Sequence, residues 1–210
     1  MQANLFDNNS DPDYLLEHRL DDAIIEEYPY AFTQAQSASL LQELLKQIPW
    51  QQETLKIAGK VIAVPRLQCW MGDSESHYGY SGIRLKPECW NVPVMQIRQR
   101  VEKLSALEFN SVLINYYRNG QDSVAWHADD ERELGNEPVI ASVSFGAERV
   151  FQLKRKKGNQ PGKFQLTLRH GSVLIMGSGL QDNWLHQLPK VKGLDAPRIN
   201  LTFRNIIVHG

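Results

Sequence analysis

The 210-residue chain has little of what marks several common protein classes. Its two cysteines, Cys69 and Cys89, allow at most one disulfide and are not spaced as in a zinc knuckle, so we expect free thiols. No apolar run approaches the length that crosses a bilayer, and the first residues lack the basic and apolar segments of a secretory signal. These absences argue against a disulfide-stabilised secreted domain or a membrane protein and predict a cytoplasmic one.

The chain also lacks an excess of charge, since its formal net charge is -1 at pH 7. Net charge therefore gives no sign of a nucleic-acid partner. One basic run, Lys154-Arg155-Lys156-Lys157, fits either a solvated hairpin tip or a contact with a phosphate backbone. Internal repeats and low-complexity segments are also missing. Because 42% of the residues are hydrophobic, the chain can bury one substantial core, and we expect a single domain over 31–210.

Hydrophobic periodicity divides the chain into three regions. Residues 1–30 are polar and weakly periodic, which predicts a tail followed by a loosely packed segment. Residues 31–110 contain two helical patterns, at 37–45 and 94–104. Residues 111–210 have a period of two, with candidate strands at 112–117, 139–144, 150–153, 164–168, 172–176 and 199–208. This order predicts an α+β, mainly β protein: a double-stranded β-helix (jelly-roll) core with the N-terminal helices packed outside.

Three potential metal ligands stand out in the C-terminal region. His127 and Asp129 are two positions apart, so in an extended segment both side chains point the same way and can bind one ion. His186 is remote in sequence, as expected if another strand of a barrel supplies it. Two imidazoles and one carboxylate form the triad that holds non-haem Fe(II) and leaves coordination positions open. Alone, however, such a pattern occurs often by chance.

The segment 198–204 strengthens the interpretation of the triad as an iron site. Arg198, Asn200, Thr202 and Arg204 alternate with apolar residues and therefore lie on one face of a predicted strand. An ordinary half-exposed strand has the same alternation, but here two arginines bracket an amide and a hydroxyl. The arginines are about 20 Å apart along an extended chain, and by leaning inward they could clamp a short diacid. A triad beside a diacid clamp indicates an Fe(II) enzyme that uses 2-oxoglutarate.

Together with Asn115-Tyr116-Tyr117-Arg118-Asn119-Gly120, these motifs resemble the AlkB family of Fe(II)/2-oxoglutarate dioxygenases. The resemblance extends from about residue 56 to residue 207, and it implies base-recognition hairpins beside the helices of 31–110. Several blocks are similar to the branch that repairs double-stranded DNA, namely Ala58-Gly59-Lys60, Val64-Pro65-Arg66, Tyr78-Gly79-Tyr80-Ser81-Gly82 and His127-Ala128-Asp129-Asp130-Glu131. The resemblance implies oxidative demethylation of 1-methyladenine and 3-methylcytosine in DNA by base flipping, with release of formaldehyde, succinate and CO2.

The resemblance also implies a role for each matching residue. Fe(II), with 2-oxoglutarate and O2 as cosubstrates, would be bound by His127, Asp129 and His186. The 2-oxoglutarate contacts would be Asn115, Tyr117, Arg198, Asn200, Thr202 and Arg204. The substrate contacts would be Tyr78, Tyr80, Ser81, Asp130, Glu131, Arg66, Ala58, Gly59 and Lys60. We expect Arg198 and Tyr117 at the distal carboxylate and Arg204 near the iron. Tyr80 would stack on the flipped base, and the carboxylate of Asp130 would favour a cationic one.

Two features leave the strand preference and the partners open. In the duplex-repair relatives an aromatic wedge fills the gap left by the flipped base, but the matching residue here is Ala58. Either Ile57 or another loop is the wedge, or the enzyme favours single strands and weakly paired sites. The opening Gln2-Ala3-Asn4-Leu5-Phe6 resembles a motif by which bacterial repair proteins bind the DNA sliding clamp. The protein is otherwise expected to be a monomer.

Three other functions fit part of the pattern. The same oxygenase chemistry could act on RNA, on a protein or on a small molecule. Tyr80, Asp130 and the basic run argue for a nucleic acid, but they do not separate DNA from RNA. A zinc hydrolase could use the same triad, although it leaves the 198–204 face unexplained. A barrel that only binds a ligand is the third possibility, and the intact triad counts against it.

Overall fold

The computed structural model describes residues 11–57, 59–74, 78–80, 83–85, 87–156 and 162–207. The strands in these ranges are β1 Leu16–Leu20, β2 Ala23–Tyr28, β3 Thr54–Ile57, β4 Lys60–Ala63, β5 Leu67–Gly72, β6 Tyr78–Tyr80, β7 Ile83–Leu85, β8 Ser111–Tyr117, β9 Val124–His127, β10 Ile140–Gly146, β11 Arg149–Arg155, β12 Lys163–Leu168, β13 Ser172–Met176, β14 Trp184–Leu188 and β15 Arg198–Arg204. The helices are α1 Gln34–Gln47, α2 Val92–Ser105 and α3 Leu180–Asn183. Both cysteines are free, as expected, and no described helix is long and apolar enough to cross a membrane.

Two antiparallel sheets form the core of the molecule. The larger has seven strands in the order β1-β2-β13-β10-β15-β8-β5, and the smaller has four in the order β12-β11-β14-β9. Phe151 and Leu153 of the small sheet share an apolar cluster with Ile140 and Leu174 of the large one, so the two sheets pack face to face. The predicted jelly-roll core is therefore confirmed. The hairpins β3–β4 and β6–β7 form separate two-stranded sheets.

Strand alternation gives the large sheet two different faces. Its outer face carries apolar residues such as Ile114, Val143 and Leu201, which cluster with Leu44 of α1 and Ile97 of α2. Its inner face carries the alternate residues, among them the polar set of β8 and β15. All seven residues of β15 are buried, so this polar face is directed into the barrel rather than to solvent. The helices thus cover one side of the sheet and leave the other side for the site.

Both predicted helices are confirmed, and local side chains account for where they begin. At the start of α1, Gln36 N donates to Thr33 Oγ1 at 3.2 Å, while Thr33 N donates to Gln36 Oε1 at 2.9 Å. This reciprocal pair is a capping box. At the start of α2, Val94 N donates to Asn91 Oδ1 at 3.2 Å, and Pro93 lies in the first turn.

The segment 16–28 differs from the loosely packed structure expected there. It forms β1 and β2, and β2 pairs with β13 in the large sheet. Ile25 is fully buried. Buried Glu27 pairs with His18 at 2.9 Å and with Arg169 at 2.6 Å, so this polar segment is fixed to the sheet. Arg169 is 142 positions from Glu27 in the chain, so this ion pair gives no local sequence signal.

The last strand is shorter than predicted. β15 ends at Arg204 instead of continuing to residue 208. Beyond it, Ile206 N donates to Asn110 Oδ1 at 2.7 Å, and Ile207 N donates to the carbonyl of Glu133 at 2.8 Å. These bonds satisfy the backbone outside the sheet ladder, so an apolar run that is typical of a strand leaves the sheet early.

Candidate active site

The three predicted metal ligands come together at one end of the small sheet. His127 is the last residue of β9 and pairs in register with His186 of β14, so their ring centroids lie 4.2 Å apart. Asp129 follows β9 by two residues. One ligand atom from each of the three side chains lies within 4.8 Å of the other two. The arrangement can hold a metal ion between two adjacent strands and the turn that follows one of them.

The environment of the two histidines suits metal binding. His127 Nδ1 lies 2.8 Å from the carbonyl oxygen of Ala125. Because a carbonyl only accepts, Nδ1 carries the proton and Nε2 is left for a metal. His186 Nδ1 is buried and has no hydrogen-bond partner among the described residues. Burial, together with nearby His127, lowers the pKa of His186 to about 3. The ring is therefore in the neutral form that a metal requires.

Asp129 is held ionised from the opposite sheet. Arg204 Nη2 of β15 donates to Asp129 Oδ1 at 2.7 Å, and both side chains are buried. Burial alone would raise the pKa of Asp129, but Arg204 and the two imidazoles outweigh it and leave that pKa below its usual value. Gln181 Oε1 accepts from the backbone N of Asp129 at 2.9 Å. Two imidazoles and one oriented carboxylate fit Fe(II).

The register of the large sheet places the predicted 2-oxoglutarate contacts beside this triad. Asn115 of β8 pairs with Gln68 on one side and with Asn200 on the other, and Tyr117 pairs with Arg198. One cavity lies between the sheets. It is lined by all nine predicted metal and cosubstrate residues: Asn115, Tyr117, His127, Asp129, His186, Arg198, Asn200, Thr202 and Arg204.

Arg198 has a buried positive charge that the described part of the chain does not neutralise. Its side chain is almost fully buried, at 2% exposure. Nη2 donates to Ser144 Oγ at 2.9 Å, and Cζ lies 5.2 Å from the centroid of the Tyr117 ring. Nε and Nη1 have no hydrogen-bond partner in the described ranges. Burial lowers the pKa of Arg198 to about 10, so the guanidinium is still charged at neutral pH. A buried charge of this kind is costly unless an anion accompanies it.

Asn200 and Thr202 contribute to the cavity differently from Arg198. Asn200 Nδ2 donates to Ser142 Oγ at 2.8 Å and to the carbonyl of Val143 at 3.0 Å. Asn200 Oδ1 accepts from Thr202 Oγ1 at 3.1 Å. Both amide hydrogens of Asn200 are therefore used within the sheet. These two side chains form a fixed wall of the cavity rather than free donors.

The predicted substrate contacts are only partly placed. Ala58 and Ser81 lie outside the described residues, and the side chains of Tyr78 and Tyr80 do as well, although β6 carries their backbone. The backbone of Gly59 has φ +82°, and Gly59 and Lys60 are exposed at the tip of the β3–β4 hairpin. The wedge and the base-stacking residue therefore stay predictions.

Asp130 and the basic run are connected to each other. Lys156 Nζ donates to Asp130 Oδ2 at 2.7 Å and to the carbonyl of Gln181 at 2.7 Å. Arg155 pairs with Asp22, and Lys154 Nζ lies 4.4 Å from the centroid of the Trp126 ring. The first three residues of the run thus have partners within the chain, and Lys157 lies outside the described residues. Glu131 Oε2 is buried, and no described residue bonds to it.

Several residues that shape the site were not predicted from sequence. Ser142 and Ser144 bond to Asn200 and Arg198 and occupy alternate positions of β10, so its period of two could have revealed them. Gln68 was missed in the same way on β5. Gln181, which binds the backbone of Asp129, had no sequence signal because its helix α3 has only four residues.

A jelly roll that holds an iron-type triad next to a buried, uncompensated arginine defines a class: oxygenases that use Fe(II) and a 2-oxo acid. The model of the 2OG-Fe(II) oxygenase superfamily matches residues 25–204. DNA oxidative demethylase ALKBH2 of Bos taurus is 41% identical over 191 residues, which cover 86% of this chain and 68% of that protein. The chain belongs to the AlkB family of this superfamily, and it is accordingly a dioxygenase with Fe(II), 2-oxoglutarate and O2 as cofactor and cosubstrates.

A second relative agrees with this membership, and a solved structure agrees with the fold. Alpha-ketoglutarate-dependent dioxygenase alkB homolog 3 of Homo sapiens is 38% identical over 175 residues, covering 80% of this chain and 60% of that protein. The chain therefore spans about three fifths of this relative. The structure of OsALKBH1 has a TM-score of 0.58 and 16% identity, and the match covers 90% of this chain and 100% of that one. At that identity the likeness concerns the fold alone.

Proposed function

We propose that this protein is an oxidative demethylase of N-alkylated bases in DNA, and so a direct-reversal repair enzyme. The observation that carries the proposal is the cavity in which the triad meets the uncompensated charge of Arg198. The substrate class is supported by ALKBH2, a DNA oxidative demethylase that is 41% identical to this chain.

His127, Asp129 and His186 are the residues that hold the iron in this proposal. When bound, Fe(II) with 2-oxoglutarate and O2 supplies the oxidising power that hydroxylates an N-methyl group. The resulting N-hydroxymethyl group loses formaldehyde and restores the base. Arg204 keeps Asp129 ionised and in place through the 2.7 Å bond to Oδ1. Oδ1 of Asp129 also lies 3.9 Å from His127 Nε2, so the carboxylate that Arg204 holds is directed to the metal site.

The large sheet binds 2-oxoglutarate in this proposal. Nε and Nη1 of Arg198 have no other partner in the described part of the chain, so they donate to the distal carboxylate. A guanidinium in this setting forms short, charge-assisted hydrogen bonds. Tyr117 adds its hydroxyl beside Arg198, and Asn115 adds its amide. Asn200 and Thr202 form the adjacent wall.

A methylated base inside a duplex must leave the stack to reach this cavity. Tyr80 is proposed to stack on the flipped base, with Tyr78, Ser81 and Glu131 around it. Asp130 is exposed near the triad, and its carboxylate favours a cationic base. The base has to compete with Lys156, which already pairs with this carboxylate. The β3–β4 hairpin, which carries exposed Gly59 and Lys60, faces the nucleic acid. Binding of the sliding clamp by residues 2–6 and a monomeric state are further predictions.

Product release from methylated oligonucleotides tests the proposal. The purified protein is supplied with Fe(II), 2-oxoglutarate and 1-methyladenine in single-stranded DNA, in duplex DNA or in RNA, and formaldehyde and succinate are measured. We expect equal formaldehyde and succinate from DNA, and none from His127→Ala. Succinate formation with no formaldehyde from all three nucleic acids would retain the oxygenase but contradict the substrate. Faster release from RNA than from both forms of DNA would favour an RNA substrate.

A further inference from the structure

Asn115 is held in one amide orientation by two donors. Arg66 Nε donates to Asn115 Oδ1 at 2.7 Å, and Gln68 Nε2 donates to the same oxygen at 2.9 Å. Only the oxygen of a carboxamide can accept, so two donors at this atom exclude the flipped amide. Asn115 is also buried, at 6% exposure, in the middle of the inner face of β8.

The same two bonds determine what Asn115 presents to the cavity. Gln68 belongs to β5, on one side of Asn115, and Asn200 belongs to β15, on the other. The oxygen is therefore held on the β5 side, and the NH2 group is left on the side of β15 and Arg198. In the described part of the structure no acceptor bonds to Nδ2, although Asn115 lines the cavity. The amide thus offers hydrogens, and not lone pairs, to an anion.

Arg66 itself is firmly placed. Its Nη1 donates to the carbonyl of Ser123 at 3.3 Å, and its own carbonyl accepts from Gln52 Nε2 at 3.2 Å. The side chain lines the same cavity as Asn115 and Arg198. Arg66 was predicted as a contact to the nucleic-acid substrate, whereas in the structure its guanidinium is engaged with a residue of the cosubstrate face.

We propose that Arg66 is a positioning residue for 2-oxoglutarate, which acts through Asn115 with the help of Gln68. The proposal rests on the cosubstrate role of Asn115 given above. With both donors present, the NH2 group faces the carboxylate. Without them the amide can rotate and present its oxygen, which repels a carboxylate. Losing one charge-assisted bond of this kind corresponds to about a tenfold change in affinity.

A double-mutant cycle tests the proposal without turnover. The affinity of 2-oxoglutarate is measured by calorimetry on the Mn(II)-loaded full chain. We expect Arg66→Met to weaken 2-oxoglutarate about tenfold and Gln68→Leu by a smaller factor. In the Asn115→Ala background both substitutions should have less than about a twofold effect, because the amide that they orient is gone. Arg66→Lys should recover part of the affinity.

Two controls make the outcome specific. Arg98→Met removes a partly buried arginine on α2, away from the cavity, and should leave the affinity unchanged. Mn(II) affinity should not change in any variant, because the ligands belong to β9, β14 and the turn after β9. Full weakening by Arg66→Met in the Asn115→Ala background, or no weakening in either background, overturns the proposal. A wild-type protein that does not bind 2-oxoglutarate would instead overturn the proposed cosubstrate site as a whole.

Discussion

The two arginines of β15 have different partners and therefore different functions. Arg204 faces Asp129 across the barrel and forms a buried ion pair at 2.7 Å. Arg198, six residues earlier on the same face, contacts Ser144 and the Tyr117 ring, and no carboxylate of the described residues pairs with it. One arginine fixes a metal ligand, and the other is placed to receive an anion. Only the loss of Arg204 should therefore destabilise the fold.

Substitution of each arginine by methionine should separate these functions. Arg198→Met should raise the KM for 2-oxoglutarate by about 100-fold, the size of a lost bidentate contact, while stability is kept or increased because an uncompensated buried charge is removed. Arg204→Met leaves Asp129 buried without its partner and should cost roughly 3–5 kcal/mol. Succinate assays and urea unfolding measure the two effects. Equal destabilisation by both substitutions would contradict the assignment.

At this scale the sequence identifies what a residue can do but not which residue it meets. The spacing of His127 and Asp129, and the alternation of β15, predicted the cavity because both depend on periods of a few residues. The bond from Arg66 to Asn115 joins positions 49 apart, and the one from Lys156 to Asp130 joins positions 26 apart. Such pairs follow from sheet register and loop packing, which no local pattern gives.

Among the elements, the two long helices and most strands after residue 110 were predicted, whereas β1, β2, β5, β9 and β14 were not. The strands β8, β10, β11, β12 and β13 were expected near their observed bounds, because their apolar residues alternate. The strands β1 and β2 were missed because they are rich in charged residues, and partners such as Arg169 for Glu27 meet them only in the folded sheet. The strand β9 has four residues, too few for a period to be seen. His127 ends this strand and Asp129 follows it, so these ligands were predicted from their residue types and spacing and not from a predicted strand.

The capping box of α1 should contribute to stability but not to catalysis. Thr33→Ala removes the acceptor of Gln36 N and should lower the free energy of unfolding by about 1 kcal/mol. The KM for 2-oxoglutarate should not change, because α1 packs on the outer face of the large sheet. Urea unfolding and a succinate assay check both statements. Ser39→Ala, on an exposed position of the same helix, is the matched control, and an equal loss in it would contradict the role of the cap.

The whole molecule divides the two halves of the site between its sheets. The small sheet supplies both histidines, whereas the large sheet supplies Arg198 and Asn115. The ion pair of Arg204 with Asp129 connects them inside the barrel. Metal binding therefore depends on the packing of one sheet against the other. Agents that weaken this packing should weaken the binding of the metal and of 2-oxoglutarate. Acid is such an agent, because it adds protons to groups that the fold keeps unprotonated.

Acid should destabilise the metal-free protein through His186. Its pKa is about 3 in the fold and about 6.5 in an unfolded chain, so between these values the unfolded state binds more protons. The free energy of unfolding should therefore decrease as the pH falls below about 6.5, by up to about 1.4 kcal/mol per pH unit for this group. Urea unfolding in a chelator at pH 7, 6 and 5 measures the slope. His186→Asn should reduce this slope. Part of the slope should remain in that variant, because burial also lowers the pKa of His170. Identical slopes in the wild type and in His186→Asn would show that this imidazole is not the group that titrates.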